Sequence, residues 1–203
     1  MGIWNDKVLP RLIDRGMRRE ELEEHRYRAA PLATGRVLEL GVGSGLNFVH
    51  YGNAVEHLFA LEPSAHLREQ AEEPAADVPF GIDFLDASAE AIPLDTGEVD
   101  TVVSSWTLCS IPDLETSLQE IRRVLKPDGK LVFIEHGRSP DPRIARWQDR
   151  LVPLSTRLLG CSLNRPMDTL INDAGFNMLE LEKDYLEGPK LIAYHYIGQA
   201  RPA

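Results

Sequence analysis

The sequence predicts an α/β fold, a largely parallel sheet flanked by helices, on three observations. From residue 36 onward, short apolar strands alternate with helical stretches, the pattern of parallel strands joined by crossover helices. The first strand runs straight into three glycines at alternate positions in VLELGVGSGLNF, residues 37–48, a strand-to-loop junction of the nucleotide-binding kind. The last two apolar stretches are joined by a short turn at 187–189 and read as an antiparallel hairpin at one sheet edge.

The elements follow in order. Residues 6–15 and 18–30 read as helices broken near Gly16, the first with Val8, Leu9, Leu12 and Ile13 on one side among Asp6, Lys7, Arg11 and Arg15. This pair suits a lid over a pocket or, with Ile3 and Trp4, a helix on a membrane surface. Residues 36–40 are the first strand, followed by the glycine loop and a helix. Strand two is 57–62, then a helix over 64–73 closed by Pro74. Strands three and four are 82–85 and 99–104. A helix over 113–125 places Leu114, Leu118, Ile121 and Leu125 in one apolar stripe. KPDG, 126–129, ends it with a turn in which Gly129 can take positive φ. Strand five is 130–135. After a proline-interrupted stretch come a helix over 168–174, stopped at Gly175, and strands over 177–183 and 191–198.

Composition bounds the function. With 203 residues, 43% of them hydrophobic, the chain suits one domain over 1–203, with 1–30 as the helical lid and 138–170 as a substrate-side insertion. The 22 basic and 32 acidic residues give a net charge of −10, which disfavours nucleic acid as a partner. No apolar run reaches the roughly 20 residues that span a bilayer. The start lacks the pattern of a signal peptide, so a cytoplasmic location is expected. Two cysteines, Cys109 and Cys161, lie far apart with no metal or redox spacing, and the six histidines are scattered, so no metal site is expected.

The glycine loop selects the ligand. A dinucleotide loop reads GxGxxG, its third glycine letting a helix present its N-terminus to a pyrophosphate. Here the glycines are Gly41, Gly43 and Gly45, and Leu46 stands where that third glycine belongs. The pattern fits S-adenosylmethionine (SAM), which needs close backbone approach and has no pyrophosphate. Glu39 is placed to meet the cationic amino-acid end of SAM, with Asn47 on the same loop. Glu62, 21 residues beyond Gly41, is placed to accept from the ribose hydroxyls.

VLELGVGSG, LEPS, SAEAIPLDTGEVDTVVSSWTLCSIPD and EIRRVLKPDGKLVFIEHG together resemble the class I SAM-dependent methyltransferases over about residues 35–137. The resemblance implies a Rossmann-like seven-stranded mixed sheet of order 3-2-1-4-5-7-6 with strand seven antiparallel. It places adenine contacts on Ser88 and Ala89, with Asp86 facing away. Pro63 and Ser64 fall on the ribose side, and Ser104 to Trp106 line the cofactor. WTLCS, FIEHG, Trp147–Gln148 and GCSLNR (160–165) are further similar to small thiol S-methyltransferases grouped with ubiquinone/menaquinone and phospholipid methyltransferases.

The expected reaction is methyl transfer to a small-molecule acceptor, a thiol or sulfide, giving S-adenosylhomocysteine. A phospholipid amine or quinone-ring carbon is the alternative acceptor, and a non-catalytic SAM sensor the alternative class. His136 is the expected base or substrate orienter, since a thiol must lose its proton. Glu135 should alternate to the other face of its strand or, if turned inward, orient His136. Cys109 is expected as a small wall residue of the substrate site. Arg165 is expected to pair with a substrate anion or a protein carboxylate, and Trp147 to wall the substrate pocket or anchor its helix. The oligomeric state is read as monomer or homodimer.

Overall fold

The computed structural model describes the backbone of residues 9–203 and side chains from residue 13 onward. The expectations resting on Ile3, Trp4, Asp6, Lys7 and Val8, and on the side chains of Leu9, Arg11 and Leu12, lie outside the described residues. Two helices, α1 (Leu9–Met17) and α2 (Glu20–Ala29), precede the sheet. Gly16 lies inside α1, and the break falls at Arg19, whose extended backbone (φ −75°, ψ 143°) starts α2. A glycine inside a helix costs only about 1 kcal/mol relative to alanine, so it need not end the helix.

Seven strands follow: β1 (Gly35–Leu40), β2 (Val55–Leu61), β3 (Gly81–Leu85), β4 (Val99–Ser105), β5 (Leu125–His136), β6 (Phe176–Tyr185) and β7 (Tyr194–Pro202). They form one sheet of order β3-β2-β1-β4-β5-β7-β6. β7 runs antiparallel to both neighbours and the other pairs are parallel. Between them lie α3 (Ala65–Ala75), α4 (Leu114–Val124), α5 (Pro142–Leu159) and α6 (Met167–Asp173).

The central strands are buried on both faces, so consecutive residues serve different cores. Leu38, Val102 and Phe133 pack with Leu118 and Ile121 of α4 and Met167 of α6. Their neighbours Val37, Val103 and Val132 pack on the opposite side with Ala29 of α2 and Ala71 of α3. The helices thus clamp the sheet and leave the carboxyl ends of β1, β2 and β4 open to a ligand.

Three local expectations are corrected. The glycine loop leads into turns and a short 3-10 helix, Phe48–His50, with no α-helix. Buried Phe48 anchors that turn, and Gly52–Asn53 end the segment before a second one can form. KPDG is not a separate turn: β5 starts directly after α4, and Gly129 does not take positive φ. A Cβ there would approach the carbonyl oxygens of Asp100 and Lys126 to 3.0 Å, so glycine serves close strand approach. Finally, the proline-interrupted stretch contains α5, 18 residues long. The Asp141 side chain caps it by accepting from the Arg143 N–H at 2.7 Å, Pro142 fits its first turn, and Gly160 (φ 72°) closes it. Pro153 sits inside it.

Candidate functional site

A cavity of about 370 Å3 opens above the carboxyl ends of β1, β2 and β4, walled on its outer side by α1 and α2. Its volume falls in the range of small-molecule sites. Gly41 (φ 60°) and Gly43 (φ 57°) form its floor in a conformation that costs other residues about 1–2 kcal/mol. A Cβ on Gly41 would strike the Thr107 side chain at 2.7 Å, whereas one on Gly43 would meet nothing within 4 Å. Gly45 (φ 79°) is not in the cavity lining; its Cβ would hit Phe48 at 2.8 Å and Pro74 at 3.0 Å, so it serves packing.

Two carboxylates sit at the strand ends. Glu62 accepts from the Gly43 N–H at 3.0 Å and the Ser64 N–H at 2.9 Å, tying the first two loops together. Burial raises its pKa. Two hydrogen bonds leave a carboxylate with acceptor capacity for a ligand hydroxyl. Glu39 is 2% exposed and accepts from Asn47 Nδ2 at 2.7 Å and the Tyr51 hydroxyl at 2.8 Å. Burial pushes its pKa up to about 7. Asn47 Oδ1 is buried beside it with no partner among the described residues. Pro63, Ser64, Leu67, Ser88 and Ala89 line the far end of the same cavity, while Asp86 pairs with Arg68 at 2.9 Å outside it.

Sequence reasoning missed Arg26. It belongs to α2, is 5% exposed, lines the cavity and lies 5.1 Å from the centroid of the Trp106 ring. Its guanidinium makes no hydrogen bond to a described residue. Burial lowers its pKa, opposed chiefly by the charge of Glu39. No sequence signal marks it, because EELEEHRYRA has charged residues all round. Trp106 itself holds φ 55°, rare for a bulky side chain, and its indole N–H is buried without a partner among the described residues. Nearby, Asp14 of α1 accepts from the Ser44 hydroxyl of the glycine loop, and Arg18 donates to both (2.9 and 3.0 Å). Ile13 and Met17 complete that wall.

Other expected site residues lie elsewhere. Ser104 is fully buried and donates to Glu135 at 2.7 Å; Ser105, the next residue and therefore on the other face, lines the cavity. Glu135 does not orient His136. Its carboxylate accepts from the backbone N–H groups of Thr107 (2.9 Å), Leu108 (2.9 Å) and Cys109 (3.2 Å). Arg165 pairs with no carboxylate among the described residues: it donates to the carbonyls of Leu108 and, at 2.6 Å, Ile111. The two side chains therefore pin the segment after β4 from opposite polar sides. Cys109 is 2% exposed and off the cavity, its thiol pKa pushed up by burial and by Glu135. His136 is half-buried at the end of β5, its ring 6.4 Å from that of His195, and it does not line the cavity. Trp147 is 56% exposed on α5, against Arg150.

The cavity fits SAM on its own features: a buried carboxylate for an ammonium, an orphaned amide oxygen, a glycine floor and a second carboxylate with acceptor capacity at the end of the neighbouring strand. Comparison with known proteins agrees. Residues 38–133 match the family model described as a methyltransferase domain. The chain is 31% identical to the human thiol S-methyltransferase TMT1B, over 83% of this chain and 72% of that one. It is 28% identical to human thiol S-methyltransferase TMT1A, over 85% and 72%. Among solved structures, a chain of the complex between the Haloferax volcanii Trm112 methyltransferase activator and a methyltransferase aligns with TM-score 0.71 at 19% identity, covering 97% and 96% of the two chains. A SAM-dependent methyltransferase from Thermotoga maritima aligns with TM-score 0.67 at 22% identity, covering 98% and 100%. These two show the shared fold. The chain belongs to the class I SAM-dependent methyltransferases, and SAM is its cofactor.

Proposed function

We propose that this enzyme methylates the sulfur of a small-molecule thiol or sulfide. The observation that carries the reading is the cavity's lining. Among the described residues it holds no histidine and no lysine, and its four carboxylates, Asp14, Glu39, Glu62 and Glu90, all accept hydrogen bonds from the protein. A hydroxyl or ring-carbon acceptor needs a base in reach. A thiol, with an ordinary pKa near 8.5, reaches its reactive thiolate form in neutral water without one. The likeness to the two human thiol S-methyltransferases supports the same choice.

SAM supplies an electrophilic methyl group when bound. The chain's residues supply position. In this reading Glu39, relayed by Asn47, takes the ammonium of the amino-acid end, and Arg26 takes its carboxylate, so the zwitterion is held from both sides. Glu62 accepts from the ribose, and Ser88, Ala89, Pro63, Ser64 and Leu67 enclose the adenine side. Trp106 and Ile111 form the acceptor wall, and α1 with α2 acts as a lid fastened by Asp14 to Ser44. His136 takes no proton here.

The test is a pH–rate profile at saturating SAM with two thiols of different pKa. In this account kcat/KM rises with pH to a plateau, and its midpoint moves with the pKa of the thiol. A midpoint that ignores the acceptor, and that is abolished by His136→Ala, would place a base in the mechanism and defeat the reading.

A further inference from the structure

α5 does not line the cavity, and its outer face combines basic with apolar residues. At about 100° per residue, Arg143, Arg146, Trp147, Arg150, Leu154, Arg157 and Leu158 fall within an arc of roughly 120°. All seven are exposed, Trp147 at 56%, Leu154 at 54% and Leu158 at 44%. The buried residues Ala145, Gln148 and Ser155 lie on the opposite side, against the body of the protein. Gln148 fixes that orientation by accepting from the Ser139 N–H at 2.9 Å and donating to the Gly137 and Leu191 carbonyls at 3.0 Å each.

Within the arc the side chains sort themselves. The arginines occupy one flank, and Trp147, Leu154 and Leu158 the other. Among the described residues none of these four arginines forms an ion pair; Arg146 donates to the Pro142 carbonyl, and Arg150 lies over the Trp147 ring at 5.4 Å. The helix's one acidic residue, Asp149, is off the arc and already held by Arg138 (2.6 Å) and Asn164 (2.8 Å). A chain of net charge −10 thus presents an uncompensated cationic strip beside an apolar one.

We infer that this face of α5 is a docking surface for an anionic lipid bilayer. The arginines would meet headgroup phosphates while tryptophan and leucines enter the boundary with the acyl chains, which is how interfacial helices bind. A nucleic acid would satisfy the arginines and leave the leucines in water. A bilayer uses both flanks. α5 also touches α1, whose Ile13 and Met17 wall the cavity, so docking would set the cavity's outer wall close to the membrane plane.

The experiment is flotation of the full chain with phosphatidylcholine vesicles, with and without phosphatidylglycerol, at low and high salt. The inference predicts flotation with phosphatidylglycerol that weakens in salt and is absent from neutral vesicles. Arg146→Glu with Arg150→Glu should reduce binding about tenfold or more. Trp147→Ala with Leu154→Ser should weaken it at unchanged charge. Both variants should keep the melting temperature and SAM affinity, because all four residues are exposed and away from the cavity. Absence of flotation, or flotation unchanged by charge reversal, would overturn the inference. So would vesicle binding that an RNA oligomer displaces and that Trp147→Ala with Leu154→Ser leaves intact, or a dimer that the same variant dissolves.

Discussion

At the scale of single residues, Glu39 makes the most direct statement about the cofactor. Its pKa is raised from an ordinary 4.5 to about 7 by burial, so in the empty protein it is about half protonated at pH 7. An ammonium placed beside it favours the ionised form. SAM binding at pH 7 should therefore release about half a proton, seen as a dependence of calorimetric enthalpy on buffer ionisation, and none at pH 9. Glu39→Gln should abolish the dependence. In the empty protein the same shift has a stability consequence: between pH 4.5 and 7 the folded state keeps a proton that the unfolded chain has released, so Glu39's contribution falls as pH rises. His195, whose pKa burial lowers to about 4, acts in the opposite sense, losing stability as pH falls below 6.5. Melting curves of Glu39→Gln and wild type should be compared across this window, where only the variant lacks the first slope. Arg26→Ala should weaken SAM binding roughly 10- to 100-fold, the worth of a charged hydrogen bond, and Arg26→Lys less. Glu39 was legible in the sequence because it ends a strand two residues before the loop. Arg26 was not, because its place in the cavity lining comes from where α2 docks, which is a tertiary fact.

At the scale of elements, the three glycines have different duties that one motif conceals. Gly43→Ala should cost about 1–2 kcal/mol of stability, from backbone conformation alone, and weaken SAM binding strongly, since its new methyl enters open cavity. Gly45→Ala should lower stability further through the clash with Phe48 and Pro74, with a smaller effect on SAM binding among folded molecules. Thermal melts paired with binding isotherms separate the two. Arg165→Ala should cost about 2–4 kcal/mol by freeing the carbonyls of Leu108 and Ile111 beneath the cavity wall. The alternation of strands and helices was readable from apolar periodicity. α5 was obscured by Pro142 and Pro153, which read as loop signals although the first sits at a helix start and the second is tolerated inside a long helix. Glu135 alternates to the face opposite His136, as period two expects; what the period could not show is that this face too is buried, so that the carboxylate is spent on the backbone after β4.

At the scale of the whole molecule, the order and direction of the strands follow from four motifs in sequence and a terminal hairpin, and the structure agrees throughout. The part of the cavity at the strand ends was legible for the same reason: its residues sit where the fold dictates. The outer wall was not, since it is assembled from α1, α2 and the segment after β4, where side-chain direction is set by packing between distant elements. The proposed sulfur reading rests on a cavity whose lining, among the described residues, holds no histidine or lysine and no carboxylate without a hydrogen bond from the protein. Its most direct test is one acceptor screen of the purified protein, with thiols, sulfide, amines, phenols and quinols, read as S-adenosylhomocysteine formed. The account predicts turnover with thiols or sulfide and little with the rest. Turnover confined to amines, phenols or quinols would contradict it.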